Sequence, residues 1–124
     1  MTPDVFSNLA SRLSPTVKTH RVLEAVQFRV GGKAFATLGW PEAGWAVVKL
    51  SVRDQMRLVA DHDGVTVEPG PRGKSGVTLL WIEDLDEAAL ADVLVAAWRE
   101  AYAGARPVRR GGRPRGTSRA LLPG

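Results

Sequence analysis

The segment Pro69–Gly76, with the sequence PGPRGKSG, is the part of this chain that comes nearest to a catalytic motif. A nucleotide-hydrolysing phosphate loop has the spacing G-x-x-x-x-G-K-[ST] and opens a helix, so that backbone amides surround the phosphates. Here the two glycines before Lys74 are three residues apart, and the segment leads into a strand. Ser75 is no nucleophile for Lys74 to activate, because neighbours on a strand point in opposite directions. The segment is either a solvated connection or a loop whose Arg72 and Lys74 contact phosphates.

The other titratable residues form no arrangement suited to catalysis. His20 and Glu24 are four residues apart and would form a solvated pair if their segment is helical. Asp61, Asp63 and the cluster from Glu83 to Glu87 look like charges at helix ends. The chain has no cysteine and two histidines, which argues against thiolate and histidine metal sites. We therefore expect a protein that is not an enzyme and that uses no metal and no cofactor.

The residues that could bind a partner lie on a predicted meander of three antiparallel strands. The strands are Gln27–Val30, Lys33–Trp40 and Trp45–Leu50. Gly31 and Gly32 form a two-residue hairpin loop, where glycine accepts the positive φ angles of the favoured turns. A four-residue loop, Pro41–Gly44, closes the second hairpin.

These loops predict the register of the strands and therefore the two faces of the sheet. Val30 would lie opposite Lys33, Phe28 opposite Phe35 and Trp40 opposite Trp45. The face predicted to form the core carries Phe28, Val30, Phe35, Val48 and Leu50. The second face carries Arg29, Trp40, Trp45 and Lys49, with Ala34, Ala36, Leu38 and Val47 between them. It is either a second packing face whose cations extend to water or a platform for a partner.

Helices are predicted at both ends of the chain and after the meander. The first begins at Thr2–Asp4, and the last is capped by Asp84 and ends at Gly104. Thr16–Ala25 is either a short helix or an extended approach to the first strand. The remaining elements are a helix from Ser51 to Gly64 and two strands, Val65–Glu68 and Val77–Ile82. The pattern predicts an α+β domain with a five-stranded, mainly antiparallel sheet flanked by N- and C-terminal helices.

Charge divides the chain of 124 residues into a domain, residues 1–105, and a tail, residues 106–124. The tail holds six arginines and no acidic residue, and it has too few apolar residues to offset the entropy of ordering, so we expect it to be flexible. Subtracting these 6 from the 17 basic residues leaves 11 against 13 acidic residues, so residues 1–105 carry about −2. The basic character therefore belongs to the tail.

The same composition bears on localisation. No apolar run approaches the length of a membrane span, and the N-terminus MTPDVFSN lacks the basic and apolar regions of a secretory signal. We expect a cytoplasmic protein with no membrane partner, and we assume a monomer.

The ordered set FRVGGKAFATL (28–38), VVKL (47–50), G-x-x-G-V-T (73–78) and a C-terminal helix with Ala97-Trp98 resembles the MmcQ/YjbR family of small bacterial proteins. The resemblance runs from about Leu9 to Tyr102. It implies an antiparallel sheet flanked by helices, similar to double-wing domains, and a DNA-binding function. The family pattern covers Phe28, Gly32, Lys33, Phe35, Ala36, Lys49, Gly73, Gly76 and Thr78.

We therefore predict a non-catalytic protein that binds nucleic acid, in the first place DNA. Cations would contact phosphates, tail arginines would add attraction that is independent of sequence, and indoles would stack on exposed bases. The predicted site consists of Arg29, Lys33, Lys49, Arg72, Lys74, Trp40, Trp45, Arg109, Arg110, Arg113 and Arg115. The alternative is a module that binds a protein or a small ligand on its Trp40/Trp45 face, which the slightly negative domain favours.

Overall fold

The computed structural model describes residues 2–105, so the predicted flexible tail lies outside the described residues. In chain order, the helices are α1 (Pro3–Ser11), α2 (Val52–Asp61), α3 (Pro71–Lys74) and α4 (Glu87–Ala105), with a 3₁₀ turn at Ile82–Asp84. The strands are β1 (Lys18–Val22), β2 (Ala25–Val30), β3 (Lys33–Leu38), β4 (Trp45–Lys49), β5 (Val65–Val67) and β6 (Val77–Trp81). This is the α+β architecture that the sequence predicts.

The strands form one antiparallel sheet with the order β1-β2-β3-β4-β6-β5. The described residues thus contain six strands, and the prediction of five was wrong by one. The additional strand is β1, in the segment that the sequence left open between helix and extended chain. Every residue of Lys18–Val22 is exposed, so the strand shows none of the alternation between apolar and polar residues by which strands are recognised.

Helices α1, α2 and α4 pack against one face of the sheet, which we call the inner face. The side chains predicted for the core, Phe28, Val30, Phe35, Val48 and Leu50, are all buried there. The helices contribute Phe6, Leu58, Leu90 and Leu94, all of them fully buried. The opposite face, which we call the outer face, carries Gln27, Arg29, Thr37, Trp45, Val47, Lys49, Leu79 and Trp81.

A β-bulge at Phe35 changes the predicted register of the first hairpin. Val30 lies opposite Lys33 as predicted, but Phe28 lies opposite Ala36 and not opposite Phe35. Because β3 has one extra residue here, Phe35 and Ala36 are both buried. The prediction that placed Ala36 on the second face was therefore wrong.

The second hairpin is shifted by one residue from its predicted register. Leu38 lies opposite Ala46, and the backbone amide of Gly39 donates a hydrogen bond to the carbonyl oxygen of Trp45 at 2.8 Å. Trp40 therefore lies beyond the end of β3 and does not face Trp45. The shift moves Leu38 from the predicted second face to the inner face.

Side-chain caps fix the starts of α2 and α4. The hydroxyl of Ser51 accepts a hydrogen bond from the amide of Asp54 at 3.1 Å, which confirms the predicted start of α2. In α4 the cap is Asp86, whose carboxylate accepts from the amide of Ala89 at 2.8 Å. The predicted cap, Asp84, belongs instead to the preceding 3₁₀ turn. Each cap satisfies an amide that has no partner within its helix.

Candidate nucleic-acid interface

Antiparallel pairing brings cations from five segments to the same end of the sheet. Lys18 at the start of β1 lies opposite Arg29 near the end of β2. Lys33 begins β3, Lys49 ends β4, and Lys74 lies in the segment just before β6. Four cations that the sequence predicted therefore come together, and Lys18, which the sequence analysis missed, joins them. We call these five residues the basic end.

Lys33 and Lys49 line a common hollow of about 410 Å³. Its other wall is the last part of α4, including Glu100 and Gly104. A Cβ on Gly104 would come within 2.8 Å of the Nζ atom of Lys33, so the lysine lies directly against the helix. The carboxyl end of a helix carries partial negative charge, which stabilises an ammonium group. One carboxylate faces two ammonium groups in this hollow, so a positive charge remains for a ligand.

Two of these cations also hold the loops of the basic end in place. The guanidinium of Arg29 donates to the carbonyl oxygen of Gly32 at 2.6 Å and to the side-chain oxygen of Gln27 at 3.3 Å. The ammonium of Lys49 donates to the carbonyl oxygen of Ser75 at 2.7 Å. A guanidinium has five N–H donors and an ammonium three. Both groups therefore keep donors for a phosphate while their positions are fixed.

The segment predicted to be a loop contains the short helix α3, with Pro71 at its first position. The chain passes so close to its neighbours here that two positions require glycine. A Cβ on Gly73 would collide with the carbonyl oxygen of Glu68, and one on Gly76 with that of Leu50. Gly76 also has a φ of 111°, which other residues rarely adopt.

A buried amide ties this segment to α2. The side-chain nitrogen of Gln55, a residue 4% exposed, lies 2.9 Å from the carbonyl oxygen of Gly73 and 3.1 Å from that of Val77. The hydroxyl of Thr78, also buried, donates to the carbonyl oxygen of Gly76 at 3.0 Å. Buried polar groups with partners of this kind order a backbone. The segment that carries Arg72 and Lys74 is thus held at several points.

Arg72 and Lys74 differ in their surroundings. The guanidinium of Arg72 lies 3.2 Å from the carboxylate of Glu68, which compensates much of its charge. Lys74 is exposed and has no ion-pair partner among residues 2–105. Lys74 is therefore the freer cation of the two.

The opposite end of the sheet is acidic, and we call it the acidic end. It contains the β1–β2 turn, the β3–β4 loop, the approach to β5 and the start of α4. The carboxylates on these segments are Glu24, Glu42, Asp61, Asp63, Glu83, Asp84, Asp86 and Glu87. The net charge of about −2 on residues 1–105 thus conceals two ends of opposite sign.

A groove of about 1000 Å³ opens at the acidic end, and we call it the aromatic groove. Its rim carries Leu23, which is 88% exposed, and Trp40, which is 49% exposed. Glu24 and Glu42 lie on the two sides, and Val47 on the outer face forms part of its floor. Arg72 also lines the groove, from the side of α3. Trp40 follows the end of β3, which begins at Lys33, so it lies at the opposite end of the sheet from the basic end, and among the predicted cations within residues 2–105 only Arg72 shares its groove.

Trp45 is half-buried, and its partner is Trp81 on β6. The two ring centroids are 4.9 Å apart with planes tilted by 51°, and the residues lie opposite each other on the outer face. Sequence reasoning paired Trp45 with Trp40 and missed Trp81. The available signal was the alternation of Val77, Leu79 and Trp81 along the last strand.

Three further predictions concern the tail arginines, metal binding and association with a membrane. Arg109, Arg110, Arg113 and Arg115 lie outside the described residues. Within residues 2–105, no group of three or more His, Asp or Glu side chains is placed to hold a metal ion. In the same range, no helix combines the length and the apolar character that crossing a bilayer requires.

Comparison with known proteins gives one kind of match. The family model described as YjbR matches residues 13–100, most of the chain. No curated protein and no solved structure matches the chain. The matched range includes the whole sheet and all the cations of the basic end.

Proposed function

The chain belongs to the YjbR family, and we propose that it binds DNA through its basic end, without catalysis. The resemblance to this family implies a DNA-binding function. The observation that supports this most directly is the gathering of Lys18, Arg29, Lys33, Lys49 and Lys74 at one end of a sheet whose other end is acidic. DNA repels the acidic end, so the protein approaches DNA with its basic end first.

In this proposal the cations of the basic end contact DNA phosphates, and no side chain makes a base-specific contact. Lys33 and Lys49 hold one phosphate between them at the hollow beside α4, and Lys74 contacts a neighbouring one. Arg29 and Lys49 are already oriented by their own loops, so little side-chain entropy is lost on binding. Trp40 and Trp45 play no part, because the first lies among carboxylates and the second packs on Trp81. The binding is therefore independent of sequence and depends strongly on salt.

The tail arginines strengthen the same interaction. The last turn of α4 lies against Lys33, so residues 106–124 and their six arginines are attached to the domain at the basic end. Arginines joined to a cationic surface release further counterions from the same DNA molecule.

The test compares two variants, each of which lacks exposed cations that have no ion-pair partner within residues 2–105. The affinity of each variant for a fluorescein-labelled DNA duplex is measured at several salt concentrations. Lys33→Ala/Lys74→Ala removes two cations of the basic end. We expect the slope of log affinity against log salt to fall by about 1.8, since each lost phosphate contact lowers it by about 0.9.

The matched control is Arg21→Ala, an exposed cation on β1 that faces the helix side of the sheet. We expect this variant to leave the slope unchanged. An equal change of slope per removed cation in Lys33→Ala/Lys74→Ala and in Arg21→Ala would mean that the protein attracts DNA only through its overall charge, and the proposed interface would be wrong.

A second candidate function is favoured by the aromatic groove. Its lining carries an exposed indole, two carboxylates and the guanidinium of Arg72, which is already paired with Glu68. Such a groove suits a protein or a small apolar ligand better than a phosphate. The two functions use opposite ends of the sheet and do not exclude each other.

A further inference from the structure

Strand β1 leaves one edge of the sheet uncovered. It pairs with β2 on one side, and no strand in residues 2–105 pairs with its other side. All of its residues are exposed. An edge of this kind offers a row of unpaired backbone groups to which an extended segment can add.

Leu23, at the end of this edge, departs from ordinary turn chemistry. It has a φ of 56°, a backbone conformation that is strained for a leucine and that Gly or Asn would adopt more readily. Its side chain is 88% exposed and so contributes almost nothing to the core. Val22, 42% exposed, and Trp40, 49% exposed, lie beside the same groove. An apolar, strained and exposed residue next to an open groove indicates a binding surface more than a structural role.

Charge selects among the possible occupants of this edge. Lys18, His20 and Arg21 lie along β1, and within residues 2–105 neither Lys18 nor Arg21 has an acidic partner. The chain's own tail carries six arginines and no acid, so the edge repels it. A second copy paired through β1 in antiparallel fashion would place the same cations close to one another, which disfavours that pairing. An acidic segment of another protein has the complementary charge.

We propose that β1 and the aromatic groove bind an extended, acidic protein segment, which adds to the sheet as an antiparallel strand beside β1. This rests on the second candidate function, and of the residues of the basic end it uses only Lys18. Lys18, His20 and Val22 point to the outer face, because they lie opposite Arg29, Gln27 and Ala25. Side chains on a strand alternate, so partner residues opposite Val22 and Lys18 are four positions apart on one face. The motif is a large apolar residue followed, four positions later, by Asp or Glu.

The probe is a fluorescein-labelled peptide, TFTVTET, in which Phe would enter the groove and Glu would meet Lys18. The control, TFTVETT, has the same composition but places its Glu on the opposite face. We expect the full chain to bind the first peptide about two- to fivefold more tightly by fluorescence anisotropy, the ratio that one cross-strand ion pair supplies. Equal affinities would mean that the peptide does not pair with β1 in a fixed register, and would overturn the proposal.

Two variants of the full chain complete the test. Leu23→Asn keeps a residue that accepts the positive φ, so we expect its melting temperature not to fall. Loss of the apolar side chain beside the groove should weaken the binding of both TFTVTET and TFTVETT, and the preference, which depends on Lys18, should remain. Lys18→Glu should reverse the preference toward TFTVTKT. Unchanged affinity of Leu23→Asn for TFTVTET would overturn the proposal. So would a concentration-dependent dimer in sedimentation velocity that Lys18→Glu strengthens or abolishes, since the edge would then belong to a second copy.

DNA titration separates this proposal from the proposed function. Leu23 lies at the acidic end, so Leu23→Asn should leave the affinity for duplex DNA unchanged. If the protein binds the peptide but not DNA, the proposed function is wrong and this inference stands. If it binds DNA but not the peptide, this inference is wrong and the proposed function stands.

Discussion

The two ends of the sheet are built from the same kind of element, a strand end with its loop, yet they differ in charge and in rigidity. At the basic end, Arg29 and Lys49 bind their own loop carbonyls at 2.6 and 2.7 Å, and Gln55 holds the α3 segment. At the acidic end, Leu23 and Trp40 project into solvent beside a large groove. The first end is held by its own hydrogen bonds, while the second exposes large apolar side chains.

This difference shows why net charge is a poor guide to function in this chain. Residues 1–105 are slightly negative, which on average argues against binding a polyanion. The field near a surface depends on the nearest charges, because others are screened beyond about 10 Å at ordinary salt. Segregation of the two signs to opposite ends therefore allows a negative domain to present a positive surface.

The largest expected effect comes from deleting residues 106–124. Six arginines can account for up to about 5 units of salt slope at 0.9 each, so most of the affinity for DNA should disappear. Residual, salt-dependent binding should remain and should be sensitive to Lys33→Ala/Lys74→Ala. Complete loss of binding at every salt concentration would show that the basic end is not a DNA interface. The difference in charge between the two ends would then have no role in DNA binding. Because few apolar residues are removed, we expect the melting temperature to stay within a few degrees.

The next largest effect tests the rigidity of the basic end. Gly76→Ala would place a Cβ against the carbonyl oxygen of Leu50, at a φ of 111°. The backbone cost and the collision together should lower the free energy of unfolding by about 3–5 kcal/mol, measured by urea titration. The control is Gly70→Ala, which also has a positive φ of 97° but no atom within 4 Å of the added Cβ, so only the backbone cost remains. Similar losses in the two variants would mean that contact with Leu50 does not order the segment.

The basic end was largely predictable from the sequence, and the acidic end was not. Alternation along the meander and the Gly31-Gly32 turn were enough to identify the core face and to place Lys33 opposite Val30. The bulge at Phe35 was not predictable, because Phe35 and Ala36 are both apolar and fit either register. Strand β1 was missed because it is exposed throughout. Without β1, the position of Leu23 at a turn beside the groove could not be inferred, and Trp81 was not connected with Trp45 because β4 and β6 are distant in sequence.

The smallest expected effect concerns Leu23 and tests whether the acidic end is shaped by stability or by binding. If the leucine serves the fold, replacing it should destabilise the protein. It is 88% exposed and has a φ of 56°, so the structure predicts the opposite. Leu23→Asn should raise the free energy of unfolding by about 0.5–1 kcal/mol, because Asn accepts this backbone conformation at lower cost. Urea titration against Leu23→Ala, which removes the apolar side chain but keeps the strain, separates the two contributions. A loss of stability in both variants would show that Leu23 packs on the groove in the folded protein, and the exposed apolar rim would then need no partner to explain it.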